Sequence, residues 1–382
     1  MKLRASWGTL GNNRIGDYTY QVTYGPVLYP FGGQLQQSVA PKDLANKNIK
    51  WETTRITNIG LDLGLMNNRL SLNIDYFDKV TSDILTRIPV PIVMGNFLPP
   101  WQNIAKMQNT GVELQVTYRD KIGEKISYGI NGNVSTVNNK VLEFNGDKSI
   151  SGPNITSEGN SFNSFYLLEF DHIIQDQSEI DKLSSDGYTF GTYVGGKPGP
   201  GDILYKDTNG DKAFDDKDRV IKNFSPLPKF IYGLNLNVAY KGFDLNVMGQ
   251  GVGSVEGYWG NDGFNTFNIN EGFLQRSVIL NRWTPENKST KYPRLRTSGS
   301  AINTVYSDYW LYNTSYFRIK SLQLGYTLPE ALITKARISD LRIYMELENY
   351  FTFTKFSGYN PENTSMNYPL MKQLVFGLNL TF

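Results

Sequence analysis

The segment from residue 207 to residue 218 holds the clearest arrangement of side chains for chemistry in this sequence. Its oxygen-bearing residues fall at positions 1, 3, 5, 9 and 12, which is the ligand spacing of a calcium-binding loop, with a main-chain carbonyl at position 7. Ca²⁺ is a hard cation that prefers oxygen ligands in this number. The sequence therefore predicts a structural calcium site, whose ligands are Asp207, Asn209, Asp211, Ala213, Asp215 and Asp218.

Two positions depart from the usual calcium loop, so a second interpretation stays open. Lys212 stands at position 6, where such loops have glycine, and Asp218 stands at position 12 in place of the longer glutamate. The shorter side chain reaches less far and is less suited to binding the ion with both oxygens. The alternative is a solvated loop rich in aspartate and asparagine. Under either interpretation the segment has a structural role and no catalytic one.

No other group of residues favours an enzyme. Glu346 and Glu348 are two positions apart on a predicted strand, so their carboxylates would lie about 7 Å apart, within the range of inverting glycosidases. Two charges facing a polar interior explain this pair better. The glycines of residues 249–253 lack the lysine of a phosphate loop. His172 is the single histidine and cysteine is absent, so we predict that the chain is not an enzyme.

Aromatic residues make up 13% of the chain, with 24 tyrosines and 21 phenylalanines. Such rings can stack on sugars or peptides, and they also form girdles at membrane–water interfaces or pack inside loops. Several stand in long stretches that lack regular alternation. These candidates for lining the entrance of a substrate path are Trp101, Tyr258, Trp259, Trp283, Tyr306, Tyr309 and Trp310.

Charge and hydropathy exclude several classes of protein. The formal net charge of +2 provides no basic surface for nucleic acid. The mean hydropathy is −0.38, and no stretch approaches the roughly 18 apolar residues of a membrane helix. The strands of a transmembrane barrel would escape that test, because each needs only about 10 residues of alternating character. The absence of cysteine excludes disulfide bonds.

The last residues of the chain indicate which kind of element positions these candidates. From residue 374 onward, large apolar residues alternate with small or polar ones, which puts the two sets on opposite faces of a strand. The apolar set is Leu374, Phe376, Leu378, Leu380 and Phe382. Such a strand suits a barrel wall with lipid outside and a polar lumen inside. From this strand alone, the last strand of a soluble sandwich is an equal alternative.

The same alternation recurs along the chain and predicts ten strands. Their predicted positions are 3–7, 59–65, 70–76, 112–118, 126–135, 232–240, 243–248, 317–326, 341–347 and 374–382. A change of parity between Ile319 and Leu322 predicts a β-bulge near residues 320–321. The pair at residues 329–330 predicts the start of a short helix, and residues 79–109 are predicted to be irregular.

The connections between the predicted strands alternate in length. Those after strands two, four, six and eight are short, and those after strands one, three, five, seven and nine are long. Antiparallel neighbours then place every short turn at one end and every long loop at the other, as in outer-membrane barrels. A soluble sandwich has no reason to sort its loops in this way. We therefore predict an all-β fold: an antiparallel up-and-down transmembrane β-barrel, present here as a partial barrel of about ten strands.

Eight short motifs occur in a fixed order along nearly the whole chain. They are Lys50–Thr54, Asn58–Asp62, Leu72–Phe77, Asn109–Leu114, Tyr240–Leu245, Arg282–Glu286, Leu324–Pro329 and Phe356–Glu362. Each motif is weak by itself, but together and in this order they are specific. The chain resembles the C-terminal part of the SusC/RagA-type TonB-dependent receptors of Bacteroidetes outer membranes.

This resemblance implies a barrel of roughly twenty-two strands with a plugged lumen. Residues 1–382 would then be the C-terminal portion of a receptor barrel, and the signal peptide, the plug domain and the N-terminal strands would be absent. Because unpaired strand edges are not tolerated in lipid, such a portion is not expected to insert and transport alone. Family members commonly carry an acidic loop where residues 207–218 lie.

The resemblance also implies a function in the outer membrane of a Gram-negative, Bacteroidetes-like cell. The expected function is import of a glycan or peptide oligomer, driven by TonB through the absent N-terminal part, with a SusD-like surface lipoprotein as a lid. The alternatives are a passive porin or surface adhesin without energy coupling, and a soluble glycan-binding β-protein. The residues expected to face the lumen are Asp62, Asn73, Glu113, Gln115, Asn131, Asn237 and Asn246.

Overall fold

The computed structural model describes most of the chain. The described residues are 1–42, 44–87, 93, 99–144, 148–191, 197–222, 224–259, 276–296, 302–333, 337–364 and 368–382. The prediction that residues 79–109 are irregular is wrong for residues 79–87 and 101–109, which lie in strands. Residues 88–92 and 94–98, with the prolines at positions 89 and 91, lie outside the described residues.

Strands dominate the described secondary structure, and helices are few and short. The strands are β1 (Lys2–Asn12), β2 (Tyr24–Phe31), β3 (Gln34–Pro41), β4 (Glu52–Leu65), β5 (Leu70–Arg87), β6 (Trp101–Ile122), β7 (Ile126–Thr136), β8 (Asn138–Phe144), β9 (Lys148–Ser151), β10 (Asn154–Ser157), β11 (Ser164–Leu167), β12 (Phe170–Ile173), β13 (Ile203–Tyr205), β14 (Val220–Ile221), β15 (Phe230–Tyr240), β16 (Phe243–Gly253), β17 (Glu256–Tyr258), β18 (Leu311–Asn313), β19 (Tyr316–Thr327), β20 (Asp340–Thr354) and β21 (Gln373–Thr381). The helices are α1 (Gln177–Ser185), α2 (Arg276–Asn281) and α3 (Glu330–Ile333), with 3₁₀ turns at Asp216–Asp218, Ile302–Thr304 and Asp308–Trp310.

The main sheet has eleven strands in the order β1-β4-β5-β6-β7-β15-β16-β19-β20-β21, with β8 paired to β6 beside this path. All ten predicted strands are present, and the fold is an antiparallel partial barrel as predicted. Several strands extend beyond the residues whose apolar and polar side chains alternate. β6, for example, begins at Trp101, although alternation begins only at Val112. Strand pairing rests on backbone hydrogen bonds, which continue where the side-chain pattern stops.

One face of the main sheet is apolar, and the described residues leave its large side chains exposed. On β21 the exposed fractions are 48% for Leu374, 73% for Phe376 and 60% for Leu378. Leu234, Leu324 and Ile343, which lie on other strands, are also exposed. A water-soluble sandwich would bury these side chains under a second sheet. Lipid is the environment that suits this face, as the alternation predicted.

The short connections have the backbone geometry that tight hairpins need. Between β15 and β16, Lys241 and Gly242 both have positive φ, at 46° and 86°, as a two-residue type I′ turn requires. Between β4 and β5, residues 66–68 have φ values of 52°, 57° and 66°. The connections between strands in the part of the chain that is described confirm the predicted alternation of short turns and long loops.

The predicted bulge and short helix are both present. The register of β19 shifts between Ile319 and Ser321 against both of its neighbours, so Lys320 is the extra residue beside β16. The change of parity in the sequence is the direct result, because the bulge moves the apolar positions from odd to even numbers. Helix α3 begins at Glu330, directly after Pro329, as predicted.

The chain divides into two compact units. The first comprises residues 1–115, 135–149 and 156–162, and the second comprises residues 116–134, 150–155 and 163–382. In the first unit, the connection after β1 holds a hairpin, β2–β3, that the sequence analysis missed. Its signal was the glycine pair at residues 32–33, both at positive φ in the turn. No described helix has the length and apolar character needed to cross a membrane.

A charge placed on the apolar face should destabilise the barrel, whereas the same charge on the polar face should not. We expect Ile74→Lys to cost about 2–4 kcal/mol, because Ile74 is exposed on the apolar side of β5 and near the middle of its paired region. Asn73→Lys is the matched control, since its neighbour across the strand is Asp62. The measurement is the fraction of heat-modifiable, folded protein in outer membranes, with the protein expressed from its own locus. Equal losses for the two variants would contradict the assignment of the faces.

Candidate functional site in the long loops

The long connections after β7 and after β16 share a hydrophobic core of their own, which we call the loop core. It lies within the second unit, and Ile174, Ile180, Ile203 and Ile302 in it are completely buried. Its members are Leu168, Ile173, Ile174, Ile180, Ile203, Leu204, Tyr205, Phe214, Trp283 and Ile302. Helix α1 contributes Ile180 to it and begins at the N-cap Asp176, whose side chain accepts the N–H of Glu179. These loops are therefore folded structure with a fixed interior.

A buried carboxylate joins the two connections beside this core. Asp202 is 0% exposed and accepts bidentate hydrogen bonds from Arg294, at 2.8 and 2.6 Å, and from Arg296, at 2.8 and 2.5 Å. The N–H of Gly199 and the side-chain amide of Asn303 also donate to it, at 2.8 and 3.1 Å. Sequence reasoning missed this cluster, because Asp202 and Arg294 are 92 positions apart and no local motif links them.

The charge of Asp202 is set by two opposing effects. Burial by itself would raise the pKa of this carboxyl group, but the hydrogen bonds from Arg296 and Arg294 outweigh it and hold the pKa below its ordinary value. A carboxyl group with a lowered pKa stabilises the folded state above its unfolded pKa of about 3.9. This contribution is lost as the pH falls through the lower pKa of the folded state.

A second ion cluster joins the same two connections. Lys222 contacts Glu169 at 2.7 Å and Asp308 at 3.0 Å, and Asp308 also accepts the backbone N–H of Phe170. Burial lowers the pKa of Lys222, but the hydrogen bonds from its amine to the two carboxylates have the larger combined effect and raise it. The lysine is therefore charged at neutral pH, and the cluster joins residues that are far apart in sequence.

His172 lies in β12, as a strand residue with two acidic neighbours. Its Nδ1 is 2.9 Å from Asp171, and its Nε2 contacts Glu179 of helix α1. Burial lowers the pKa of the imidazole, but the hydrogen bonds with Asp171 and Glu179 raise it overall. Its stabilising contact with α1 is therefore fully present below about pH 6.5 and weakens as the pH rises through the raised pKa.

The predicted entrance aromatics occupy different environments. Trp283 and Trp310 are 8% and 2% exposed, and their indole N–H groups donate to Gln175 and to the carbonyl of Asn303. In the first unit, Trp101 is half-buried at the start of β6, with the guanidinium of Arg87 4.7 Å from its ring centroid. These positions serve packing as well, and their contact with a substrate stays a prediction.

The remaining aromatics form edge-to-face contacts in the second unit. The Tyr258 and Tyr306 rings are 5.9 Å apart, and those of Tyr309 and Trp310 are 4.8 Å apart. Trp259 packs its ring 5.3 Å from the ring of Phe356 and 5.3 Å from that of Tyr312. The structure thus brings Tyr309 and Trp310 together as one group and pairs Tyr258 with Tyr306.

The predicted calcium loop is closed by hydrogen bonds from its own backbone. Asp207 accepts the N–H groups of Gly210 and Lys212 at 2.7 and 2.9 Å, and Asp211 accepts that of Ala213 at 2.9 Å. Lys212 has a φ of 61° at position 6, the left-handed geometry for which calcium loops use glycine. Lys212 therefore adopts the left-handed backbone conformation that a calcium loop has at position 6.

Asp218 differs from the glutamate of a calcium loop in what it contacts. Its side chain is fully buried, and its two oxygens accept the N–H groups of Thr208 and Asp215, each at 2.9 Å. Within the described residues, no group of three or more acidic or histidine side chains converges in a way that could hold a metal ion. The loop as folded is thus complete through its own hydrogen bonds, and bound calcium stays a prediction.

The polar face of the main sheet carries paired charges in both units. In the first unit, Arg4 contacts Asp62 at 2.7 Å and Asp75 at 2.8 Å. In the second, Arg342 contacts Asp244 at 2.6 Å. Of the other residues predicted to face the lumen, Asn131 donates to Thr117 at 2.6 Å, Asn237 and Asn246 are opposite each other, and Glu113 accepts from Ser135. Glu346, one of the two glutamates predicted to be charges facing a polar interior, accepts hydrogen bonds from Ser321 and Gln323.

Loss of the charge on Asp202 should open the loop core. We expect Asp202→Asn to destabilise it by about 3–5 kcal/mol, because two guanidinium groups lose the anion that compensates them. The measurement is the rate at which an external protease cleaves between residues 197 and 296 in whole cells. Asp216→Asn is the control, since the Asp216 side chain is 74% exposed and its ion pair among the described residues is with Arg219 at 2.8 Å. Equal cleavage of the two variants would show that the buried cluster does not hold these loops.

Calcium binding to residues 207–218 is directly measurable. If the loop takes the ion, titration calorimetry should show binding with a dissociation constant of about 10⁻⁴–10⁻³ M, as in extracellular calcium modules. Asp211→Asn should weaken that binding, because position 5 loses its charge while Asn keeps an oxygen for the N–H of Ala213. Absence of binding heat, or an unchanged affinity in the variant, would leave the backbone hydrogen bonds as the only closure of the loop.

Known proteins share this arrangement over the full chain. Two solved relatives are the RagAB peptide transporter, with a TM-score of 0.79 and 27% identity, and the RagAB peptide importer in its 'open-open' state, with a TM-score of 0.75 and 26% identity. In each case the chain is covered completely and represents 40% of the matched protein chain.

Sequence comparison agrees with the structural one. TonB-dependent receptor P3 of Formosa agariphila is 30% identical and TonB-dependent receptor SusC of Bacteroides thetaiotaomicron is 25% identical, each over the whole chain. The chain spans 39% and 37% of the length of these two relatives. Residues 1–350 match the family described as TonB dependent receptor-like, beta-barrel. The chain therefore belongs to the β-barrel family of the TonB-dependent receptors, which are proteins of the outer membrane.

Proposed function

We propose that this chain forms barrel wall and extracellular loops of an importer that carries a nutrient oligomer, a glycan or a peptide, across the outer membrane. The observation that supports this most strongly is the agreement of the whole chain with the RagAB peptide transporter, at a TM-score of 0.79 and 27% identity. The 25% identity with TonB-dependent receptor SusC supports the same class of transporter. In this proposal import is driven by TonB, and a SusD-like surface lipoprotein covers the long loops.

The two faces of the wall would have separate roles in import. The apolar face lies in lipid, and the polar face lines the path. Charges on the polar face of the strands are largely compensated, as Arg4 is by Asp62 and Asp75, and Arg342 by Asp244. A wall with compensated charges and many amides holds polar solutes weakly, which suits passage rather than tight capture.

The long loops would hold the substrate entrance in a fixed shape. The loop core and the Asp202 cluster order segments that are more than ninety positions apart, since Asp202 and Arg294 are separated by 92 positions. Binding sites are commonly placed on loops that a rigid scaffold positions. Among the candidate aromatics, Trp101, Tyr258, Trp259, Tyr306 and Tyr309 are partly exposed and could contact a substrate.

TonB-driven import can be distinguished from passive diffusion because it requires energy. We expect deletion of the gene region that encodes this chain to abolish growth on one class of oligomer, a glycan or a peptide mixture, while growth on the corresponding monomers continues. Uptake of the labelled oligomer should stop when a protonophore dissipates the proton-motive force. A tagged protein should also retain a surface lipoprotein during purification in mild detergent.

Two results would contradict the proposal. Uptake that persists without the proton-motive force would favour a passive porin. Unchanged growth on every oligomer, together with loss of cell adhesion in the deletion strain, would favour a surface adhesin.

A further inference from the structure

A cavity of about 310 Å³ lies where β20 and β21 separate, at the long-loop end of the main sheet. The two strands pair only as far as Glu348 and Gln373, whereas β20 continues beside β19. Residues 349–353 of β20 form one wall of the cavity, and the segment that leads into β21 contributes Leu370 and Lys372. The volume falls at the lower end of the range for small-ligand sites.

A row of stacked aromatic rings crosses the apolar face at the level of this cavity. The rings of Tyr232 on β15 and Phe317 on β19 lie 5.9 Å apart with their planes 5° apart, and Phe317 lies 6.4 Å from Phe353 on β20. Phe353 also lines the cavity. Aromatic girdles mark the boundary between hydrocarbon and headgroups, and the long-loop end of such barrels faces outward. The cavity therefore lies at the headgroup level of the outer leaflet.

The apolar part of the cavity continues the face that suits lipid. Phe351 and Phe353 pair with Ile319 and Phe317, which belong to that face, and they are 44% and 61% exposed. Leu370, on the opposite side of the cavity, is 43% exposed. A ligand with hydrocarbon chains could occupy the cavity and remain in contact with the bilayer.

The charge in the cavity favours an anion. Lys372 lies 5.8 Å from the centroid of the Tyr350 ring and has no ion-pair partner among the described residues. None of the described residues that line the cavity is acidic. Arg318 also lines it, but its guanidinium is already engaged by Glu362 and by Asn360, each at 2.9 Å. A phosphate beside Lys372 would compensate the lysine charge.

Asn349 brings an acceptor to the same cavity. Its Nδ2 donates to the carbonyl of Met371 at 3.4 Å, but its buried Oδ1 accepts no hydrogen bond from any described residue. A buried acceptor without a donor is unfavourable unless a ligand supplies one. The hydroxyl and amide N–H groups of a sugar are suitable donors, and the ring of Tyr350 offers a surface on which a sugar can stack.

We propose that this cavity binds the headgroup of a phosphorylated glycolipid of the outer leaflet. Its phosphate lies beside Lys372, a sugar hydroxyl or amide donates to the Oδ1 of Asn349, and its acyl chains follow the apolar face past Phe351. A free phosphate would leave the buried acceptor unsatisfied, and a neutral glycolipid would leave the lysine uncompensated. This site goes beyond the proposed import function and does not depend on which oligomer is imported.

The test uses the complete protein, purified in detergent and freed of bound lipid by detergent exchange. The probes are lipid A, which is a phosphorylated glycolipid, its enzymatically dephosphorylated form, and inorganic phosphate. Native mass spectrometry measures the fraction of protein that carries one lipid at each lipid concentration. We expect saturable binding of lipid A, and binding of the dephosphorylated form that is weaker by about tenfold, the equivalent of one charge-assisted contact of about 1.4 kcal/mol. Inorganic phosphate at the same concentration should not compete.

Two lysine variants test the phosphate contact. Lys372→Gln should weaken the binding of lipid A by about tenfold and leave that of the dephosphorylated lipid unchanged. Lys241→Gln is the matched control, because the Nζ of Lys241 also lies beside a tyrosine ring, 5.3 Å from the centroid of Tyr240, but at the short-turn end of the sheet. It should bind both lipids as the wild-type protein does.

Two asparagine variants test the sugar contact. Asn349→Gly should weaken the binding of both lipids by about fivefold, because the sugar loses its acceptor in each case. Asn349 has a φ of 56°, and glycine keeps this conformation, so the strand should be unaffected. Asn68→Gly is the control, since Asn68 has a φ of 66° in the tight turn between β4 and β5 and should not alter binding.

Several results would overturn the inference. Equal affinities of Lys372→Gln and Lys241→Gln for lipid A would remove the phosphate contact, and competition by inorganic phosphate would indicate a site for free anions. A loss of the dephosphorylated lipid in Lys372→Gln would show that the lysine maintains the cavity and does not bind the phosphate. Heat-modifiability of the same samples verifies that each variant is folded. The import function is tested separately by uptake, so the two can fail independently.

Discussion

The structure depends on one constraint: the strands of the main sheet have apolar side chains that the described residues leave exposed. Phe376 and Leu378 are exposed to 73% and 60% on β21, and comparable side chains follow on β15, β19 and β20. In water such a surface would drive association, and in a bilayer it is the stable arrangement. The opposite face must then carry the polar groups. Paired charges such as Arg342 with Asp244 satisfy that requirement without leaving an isolated ion inside a wall.

The loops follow a different physical rule from the strands. They extend from the long-loop ends of the strands, yet they contain fully buried side chains such as Ile180 and Ile302. A small apolar core is stable here because Asp202, Arg294 and Arg296 tie distant segments together and shorten the effective loops. These loops are consequently ordered without a ligand, which in the proposed import function would limit the entropy lost on binding.

The bulge in β19 links these two parts of the second unit. Arg318 and the bulged residue Lys320 both contact Glu362 in the loop that follows β20. Tyr316 donates to the same carboxylate. Burial acts to raise the pKa of Glu362, but hydrogen bonding from Tyr316 and the charge of Arg318 lower it overall. The bulge thus lies beside the contacts that hold this loop, in keeping with the frequent occurrence of bulges at barrel rims.

Strand positions, the alternation of turns and loops, and the bulge were determined by the sequence alone, because each is a local pattern of residues with a period of two. Leu374 to Phe382 and the parity change between Ile319 and Leu322 needed no tertiary contact to be interpreted. The Asp202 cluster, the burial of Trp283 and Trp310, and the closure of the 207–218 loop by Asp218 were decided only by the tertiary structure. They join residues far apart in sequence, or determine which backbone N–H groups a carboxylate such as Asp218 accepts. Residue spacing carries no information on either choice, which depends on which atoms the fold brings within hydrogen-bonding distance.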